Sequence, residues 1–500
     1  MTEQLTLFDS EVDYGSWEVD NFSFENFADQ KARQAIEKKY IKITEISDEF
    51  SRQSVSYQLS KKDSLHRWLK YKEGFSSELV NKLLDQFKIK PGELVLDPFL
   101  GSGTTAIVCQ MRGINSMGYD ILPTSNVAIE AKQNVFKYDI EELERLIAEL
   151  RDLSVPDTFD GKFDYITITD GAFPEQTEKD VVFYTQWINN SNYSNSAKTL
   201  VKLCILNCLE PISYTSKDGQ FLGWDYRSKK MQMAAERRAA MGKKPMLKKD
   251  KGVLPALKKC LMEEIEAVYN DIKYIQTHAK STDATINYVN GSVLFELPKQ
   301  AANTVSGVIT SPPYCNRYDY TRTYGLELNY LGLSTKDVTA LRQTLLSCTV
   351  ENHSKMKQLE DFYASINRHD DFERITKILK ENAALQEIIV ALHKRNENGD
   401  INNDGVLRMV EGYFTELTFL YYEIFRVCKQ GARVAFVNDN VRYGGEVIPV
   451  DFLSTDLARM IGFKPVKVYT LKQQKGNSSQ QMKKYGRVPL RKSITIWEKP

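Results

Sequence analysis

The chain is short of cysteine, of net charge and of long apolar runs, and each shortage excludes a class of protein. Its seven cysteines in 500 residues are odd in number and lack paired spacing. That argues against a disulfide scaffold and fits a reducing compartment. Cys204 and Cys208 lie on one predicted helix, but no matching His or Cys pair follows them, so they read as core and not as zinc ligands. No apolar run reaches the roughly 18 residues of a membrane span, and no membrane partner is expected. The first residues are acidic, without a basic segment followed by an apolar stretch, and do not read as a secretory signal. The acids of residues 399–405 lack the terminal Glu of a calcium loop and read as a turn. The 67 basic and 66 acidic residues leave a net charge of +1. Any case for a nucleic-acid partner must therefore be local.

What is present is an interrupted α/β pattern. With 42% hydrophobic residues, the chain can build about two or three domains. Residues 1–45 read as a polar, acidic arm, either a tail or a docking segment, that leads into a helix near residues 29–39. Ser76 is placed to cap a helix over residues 77–87, with Leu79, Leu83 and Leu84 on one face. The apolar run Leu94-Val95-Leu96-Asp97 then enters Pro98-Phe99-Leu100-Gly101-Ser102-Gly103-Thr104-Thr105 and a helix over residues 105–112. Glycines let backbone approach a ligand closely, and an acid at a strand end accepts bonds from cationic or hydroxylated groups. The loop lacks the Gly-Lys-Ser/Thr end of a Walker A motif. A second short strand ends at Asp120, 23 residues beyond Asp97. At about that offset a carboxylate in a Rossmann-like unit reaches a ribose hydroxyl.

The rhythm then lapses. One charged helix is expected over residues 128–153 and a strand over 162–169. Aromatics follow, with a basic tract over residues 227–259 that holds twelve Lys or Arg against two acids. Arg237, Arg238, Lys243 and Lys244 in it suit phosphate contact, the alternative being a solvated face. Strands resume over residues 285–289 and 305–309. The second meets Thr310-Ser311-Pro312-Pro313-Tyr314, where two prolines end the ladder and fix an extended bend. This puts a hydroxyl, backbone polar groups and a ring at a sheet edge, where open α/β sheets bind ligands. Arg317, Tyr318 and Arg322 just beyond it would stack a base and touch phosphates. Residues 335–410 read as helical. A helix over residues 413–428, a strand over 432–437, a helix over 450–461 and two final strands complete the pattern. The last two strands enclose a polar loop with Lys475, Ser478 and Ser479, suited to nucleic acid or a plain hairpin loop.

Taken together, the Gly-rich loop and Ser-Pro-Pro-Tyr resemble the motifs of the DNA amino-methyltransferases, which use S-adenosylmethionine. The resemblance covers residues 64–121, 285–325 and 413–498. Ser311 matches the form typical of cytosine-N4 enzymes, whereas adenine-N6 enzymes more often carry Asp or Asn there. The resemblance implies a Rossmann-like methyltransferase fold with a mixed, mostly parallel seven-stranded sheet and large helical insertions. Its catalytic core would span residues 46–125, 285–334 and 411–500, in a permuted order. The insertions 126–284 and 335–410 are both candidates for target recognition. S-adenosylmethionine would contact Phe75, Ser76, Asp97, Pro98, Phe99, Gly101, Ser102, Gly103, Thr104 and Thr105. Asp120 would hold its ribose, and Asn290 or Ser292 its adenine. Ser311 and the Pro312 carbonyl would accept bonds from the target amine, Pro313 would fix the bend, and Tyr314 would stack on a base flipped out of duplex DNA. Cys315 would be a bystander. The implied setting is cytoplasmic and prokaryotic, within restriction–modification or phage defence, with a cognate restriction endonuclease acting separately. The rival readings are an adenine-N6 DNA methyltransferase, an RNA or protein amide methyltransferase, whose motifs end in Asp or Asn before Pro-Pro-Tyr, and a non-catalytic DNA-binding subunit of a defence complex.

Overall fold

In the computed structural model, the structure describes residues 18–218, 221–472, 485, 486 and 488–500. Lys475, Ser478 and Ser479 lie outside the described residues. The strands are β1 Thr44–Ile46, β2 Leu94–Asp97, β3 Asn115–Asp120, β4 Thr215–Asp218, β5 Phe221–Trp224, β6 Ile286–Asn290, β7 Val305–Thr310, β8 Cys428–Asp439, β9 Val441–Tyr443, β10 Glu446–Ile448, β11 Lys464–Thr470 and β12 Lys492–Glu498. Eight of them form one sheet, in the order β1-β11-β12-β8-β7-β2-β3-β6. Every neighbouring pair is parallel except those of β12, which runs antiparallel to both β11 and β8. This is the mostly parallel Rossmann-like methyltransferase sheet. From β2 the chain moves outward to β3 and β6, then returns to β7 on the other side of β2. The reversal opens a crevice at the carboxyl ends of β2 and β7, where such sheets bind ligands.

The expected seven strands become eight because β1 adds to the outer edge, parallel to β11. Three residues are too few to show a period in sequence. The same segment corrects the reading of an N-terminal arm for residues 18–45. Arg33 is buried between Glu387 and Glu446, at 2.9 and 3.0 Å. Glu37, on the helix Lys31–Tyr40, pairs with the buried Arg491. These residues are part of the body.

Local chemistry explains most boundaries. The Ser76 hydroxyl accepts from the N–H of Leu79 and starts the helix Ser77–Phe87, whose Leu79, Val80, Leu83 and Leu84 are fully buried. Such a cap contributes about 1 kcal/mol. The single helix expected over residues 128–153 is two, Pro123–Gln133 and Ile140–Asp152. Asp139 accepts from the N–H groups of Glu141 and Glu142 and so starts the second. The strand expected over residues 162–169 does not form. Its N–H groups go to side chains instead of a ladder: Phe163 to Glu178, Ile166 to Asn329 and Thr167 to Thr335. Alternating apolar residues there pack on helices of the insertion, as the Phe163–Phe173 contact shows.

The insertion after β3 is a helical layer with its own core. The helices Glu175–Asn190, Asn195–Ile212 and Leu257–His278 carry most of it, and Cys204 and Cys208 are buried inside. The helices His369–Glu381 and Ala383–Glu397 pack elsewhere, on the long buried helix Gly405–Val427 beside the sheet, whereas Val338 of the helix Thr335–Thr344 joins the core of the insertion.

Candidate active site

At the carboxyl ends of β2, β3 and β7 lies a cleft whose walls hold residues of both the Gly-rich loop and the Ser-Pro-Pro-Tyr turn, in the place where open α/β sheets bind ligands. Its floor is fastened by Asp97, which is 1% exposed. One carboxylate oxygen accepts from the Thr310 hydroxyl at 2.6 Å and from the N–H of Phe99 at 3.1 Å. The other accepts from the Thr105 hydroxyl at 2.6 Å. Burial pushes its pKa up to about 6, against the pull of these bonds. Both oxygens are spent inward, so Asp97 supports the cleft without lining it. Thr105 is spent the same way. Gly103 also faces inward, since a Cβ there would meet Ile129 at 2.8 Å.

Pro98, Phe99, Gly101, Ser102 and Thr104 do line the cleft. Gly101 has φ +53°, and a Cβ there would meet the Tyr71 ring at 3.0 Å, so the turn requires glycine. Its N–H donates to Asp120 at 2.8 Å, and the other Asp120 oxygen accepts from the N–H of Leu122 at 2.8 Å. With both oxygens so oriented, Asp120 lines the cleft. Burial raises the Asp120 pKa to about 6, opposed by these backbone bonds. Phe75 lines the cleft, but Ser76 does not. Ser76 donates to the Ser54 carbonyl at 2.9 Å besides capping its helix. Ser292 is in the wall, whereas Asn290 is exposed and outside it.

Several contributors escape sequence reasoning. Lys132 is wholly buried and donates to the Ser102 carbonyl at 2.7 Å, bracing the Gly-rich loop from behind. Burial pulls its pKa down to about 7, against the attraction of Asp63. A lysine inside an amphipathic helix gives no signal of this. Tyr71 and Glu73 form one wall, and the Tyr324 hydroxyl donates to Glu73 at 2.5 Å. Thr344, Leu345 and Leu346 close another side. They are held by Glu416, which accepts from the N–H of Ser347 at 2.9 Å and from Lys355 at 2.8 Å.

The Ser-Pro-Pro-Tyr turn follows β7. Ser311 and Pro313 face the cleft, while Pro312 is buried beneath. The Ser311 hydroxyl lies 3.2 Å from that of Tyr314 and 3.5 Å from the Val437 carbonyl. The amine of Lys492 sits 4.7 Å over the Tyr314 ring and 3.6 Å from Asp439. Burial works against its charge, but Asp439 and Tyr314 prevail and its pKa is raised. Cys315 is buried, and burial pushes its thiol well up, out of reach of nucleophilic use.

The expected DNA contacts separate into groups. Arg317 is half-buried, with φ +65° and its guanidinium 5.9 Å from the Tyr443 ring. Tyr318 packs edge-on against Tyr320 at 4.9 Å. Arg322 pairs with Glu351 and, at 3.3 Å, with Asp319. Arg237, Lys243 and Lys244 are exposed, whereas Arg238 donates to the Lys244 carbonyl at 2.9 Å.

The cleft fits S-adenosylmethionine on its own chemistry. Asp120 offers acceptors for ribose hydroxyls, Phe99, Ile121, Leu122 and Val293 offer an apolar slot for adenine, and Gly101 gives the close backbone approach. Ser311 stands in the same wall.

Comparison with known proteins agrees. A family model described as a DNA methylase, of N6/N4 type, matches residues 5–129. The type II methyltransferase M.BsoBI of Geobacillus stearothermophilus is 55% identical over 485 residues, 97% of this chain and 95% of that protein. The type II methyltransferase M.AvaI of Anabaena variabilis is 37% identical over 473 residues, 93% of each chain. M.MjaII of Methanocaldococcus jannaschii is 39% identical over 80 residues, 16% of this chain and 14% of its own. Among the described residues no helix is long and apolar enough to cross a membrane. With its sheet, its cleft and relatives matched end to end, the chain belongs to the type II DNA methyltransferases of the N6/N4 family, restriction–modification enzymes that draw their methyl group from S-adenosylmethionine.

Proposed function

We propose that the chain methylates the exocyclic N4 amine of cytosine in double-stranded DNA, as the modification partner of a separate restriction endonuclease. The observation that carries the choice of base is Ser311. A neutral hydroxyl stands in the cleft wall where adenine-N6 enzymes more often place Asp or Asn.

The chemistry required is modest but exacting in position. The cytosine amine is a poor nucleophile, because its lone pair is delocalised into the ring. Bonds from its N–H groups to the Ser311 hydroxyl and the Pro312 carbonyl hold that lone pair out of conjugation and aim it into the cleft. S-adenosylmethionine supplies a methyl group on a sulfonium, so no covalent enzyme–base adduct is needed. The N–C bond would form as the methyl–sulfur bond breaks, the electron pair staying on sulfur as a neutral thioether that leaves as S-adenosylhomocysteine, and the amine would shed a proton to solvent. Positioning of this kind supplies up to ~7–11 kcal/mol in ideal cases. The base is out of reach inside a duplex and must be flipped, at a cost of a few kcal/mol. Tyr314, with Lys492 at 4.7 Å over its ring, provides the stacking surface. Phe75, Pro98, Phe99, Gly101, Ser102, Thr104, Asp120 and Ser292 hold the cofactor. Ser76, Asp97, Gly103, Thr105 and Lys132 shape the elements that carry them. Target recognition falls to the insertion of residues 126–284, whose basic tract leaves Arg237, Lys243 and Lys244 exposed.

The test is direct. Unmethylated duplex DNA is incubated with the protein and labelled cofactor, then digested to nucleosides for mass spectrometry. Labelled N4-methylcytosine is expected; labelled N6-methyladenine would overturn the assignment.

A further inference from the structure

Beyond β5 the chain leaves the body. The helix Lys229–Ala240 buries none of its side chains. Its half-buried positions, Met231, Ala234 and Arg238, recur at helical spacing on one face. That face is turned to the returning strand of chain, where Arg238 binds the Lys244 carbonyl. The opposite face presents Gln232, Met233, Glu236, Arg237 and Ala240, all exposed. Between residues 229 and 249 there are eight Lys or Arg and a single acid, Glu236.

The mount of this helix is rigid. Buried Asp225 accepts two bonds from Arg227, both at 2.8 Å, and one from the N–H of Lys251 at 2.7 Å. The Lys251 amine donates to the carbonyls of Glu210, Ser213 and Thr215, at 2.6 to 2.7 Å. The mount is also joined to the cleft. Lys217 of β4 pairs with Glu327 at 2.6 Å and lies 4.1 Å over the Tyr324 ring. Tyr324 stacks on Tyr71, a wall residue, with centroids 5.4 Å apart. The helix is therefore held at a fixed offset from the place where the base is methylated.

We infer that Lys229–Ala240 is the base-reading helix, lying in the DNA major groove with Gln232, Glu236 and Arg237 toward base edges and Lys243 and Lys244 on phosphates. The inference rests on the DNA methyltransferase reading and deepens it. A helix of this width enters a major groove about 12 Å wide, and the basic surround complements the backbone. Glu236 carries the argument past general charge. A carboxylate on the outward face of a basic helix is repelled by phosphates, and what repays it in duplex DNA is an exocyclic amine on a base edge. Arg237 has the fork that reads guanine, and Gln232 the amide that reads adenine.

The test methylates, in vitro, a plasmid carrying every six-base-pair sequence and reads the modified sites by single-molecule sequencing. Wild type should mark one motif. Arg237→Ala should relax the preference at one position and slow methylation of the parent motif about 5- to 150-fold. Glu236→Gln should relax a different position. Lys243→Ala should keep the motif, slow all sites alike and reduce the salt dependence by about one phosphate contact. Unchanged motifs in Arg237→Ala, Glu236→Gln and Gln232→Ala, with melting temperatures as in wild type, would overturn the assignment. A wild-type protein that marks no DNA at all would sink the methyltransferase reading itself.

Discussion

Replacing Ser311 with Ala separates chemistry from binding and from folding. In the fold, the hydroxyl makes two long contacts, 3.2 Å to the Tyr314 hydroxyl and 3.5 Å to the Val437 carbonyl. The residue is half-buried, so the partners left behind reach other groups, and the fold should lose no more than about 0.5 kcal/mol. The proposed anchors of the cofactor, Asp120 and the Gly101 loop, are braced by bonds that do not involve Ser311. In the proposed reaction, by contrast, the hydroxyl is a polar group that holds the reacting amine. Removing a preorganised group of that kind costs about 2.7–4 kcal/mol, or about 100- to 1,000-fold in kcat. The assay pairs single-turnover methylation of duplex DNA with calorimetric titration of S-adenosylmethionine. The expected result is a kcat at least 100-fold down, with cofactor affinity unchanged within about twofold. A variant that keeps more than a tenth of the rate would refute the role of Ser311. A variant that loses cofactor binding in step with rate would refute the separation of the two halves of the cleft.

Other perturbations probe the remaining parts. The Asp120 carboxyl titrates at about 6, so cofactor affinity should fall as pH drops from 7 to 5, when protonation removes the charged acceptor. Asp120→Asn should bind weakly and show no such slope in fluorescence titration. Lys132, at about 7 in the fold, lies below its unfolded value. The unfolded state thus binds the extra proton above pH 7, and stability should rise with pH from about 7 to 10.5 and flatten beyond. Lys132→Met should remove that rise in denaturant titrations, while weakening S-adenosylmethionine binding through loss of the Ser102 brace. Arg491→Ala leaves Glu37 and Asp451 as unpaired buried charges. It should cost about 3–5 kcal/mol, and the N-terminal segment should become sensitive to protease.

How much of this was legible in the sequence follows from where each signal lives. The strands β2 and β7 are short, mainly apolar runs ending in distinctive loops, so the Gly-rich turn and Ser-Pro-Pro-Tyr could be placed at one sheet edge. The cap at Ser76 and the burial of Leu79, Leu83 and Leu84 follow from local spacing. Asp97 shows the limit. A carboxylate at a strand end is visible in sequence, but its partner Thr310 is 213 residues away, and only the fold tells that the acid is spent on two threonines. Residues 162–169 alternate like a strand, yet the backbone finds Glu178, Asn329 and Thr335 before it finds a ladder. The wall residues Thr344, Leu345 and Leu346 carry no motif, because their role is to close a shape.

The bond from Thr310 to Asp97 bears on how the enzyme works. Asp97 opens the cofactor loop, and Thr310 is the residue immediately before Ser311. With Thr105 holding the other carboxylate oxygen, the start of the helix Thr104–Met111, the end of β2 and the end of β7 are one unit. The Gly-rich loop and the Ser311 hydroxyl, to which the proposed function gives the amine, therefore cannot drift apart without breaking a buried, charge-assisted bond of about 1.5–3 kcal/mol. Near-attack geometry depends on that distance, and an ångström of misplacement can cost about 100-fold in rate. It follows that Thr310→Val, nearly the same size and buried beneath the cleft wall, should lower kcat while leaving both cofactor and DNA affinity almost untouched. Equal losses in affinity and rate would mean that the bond only holds the fold together.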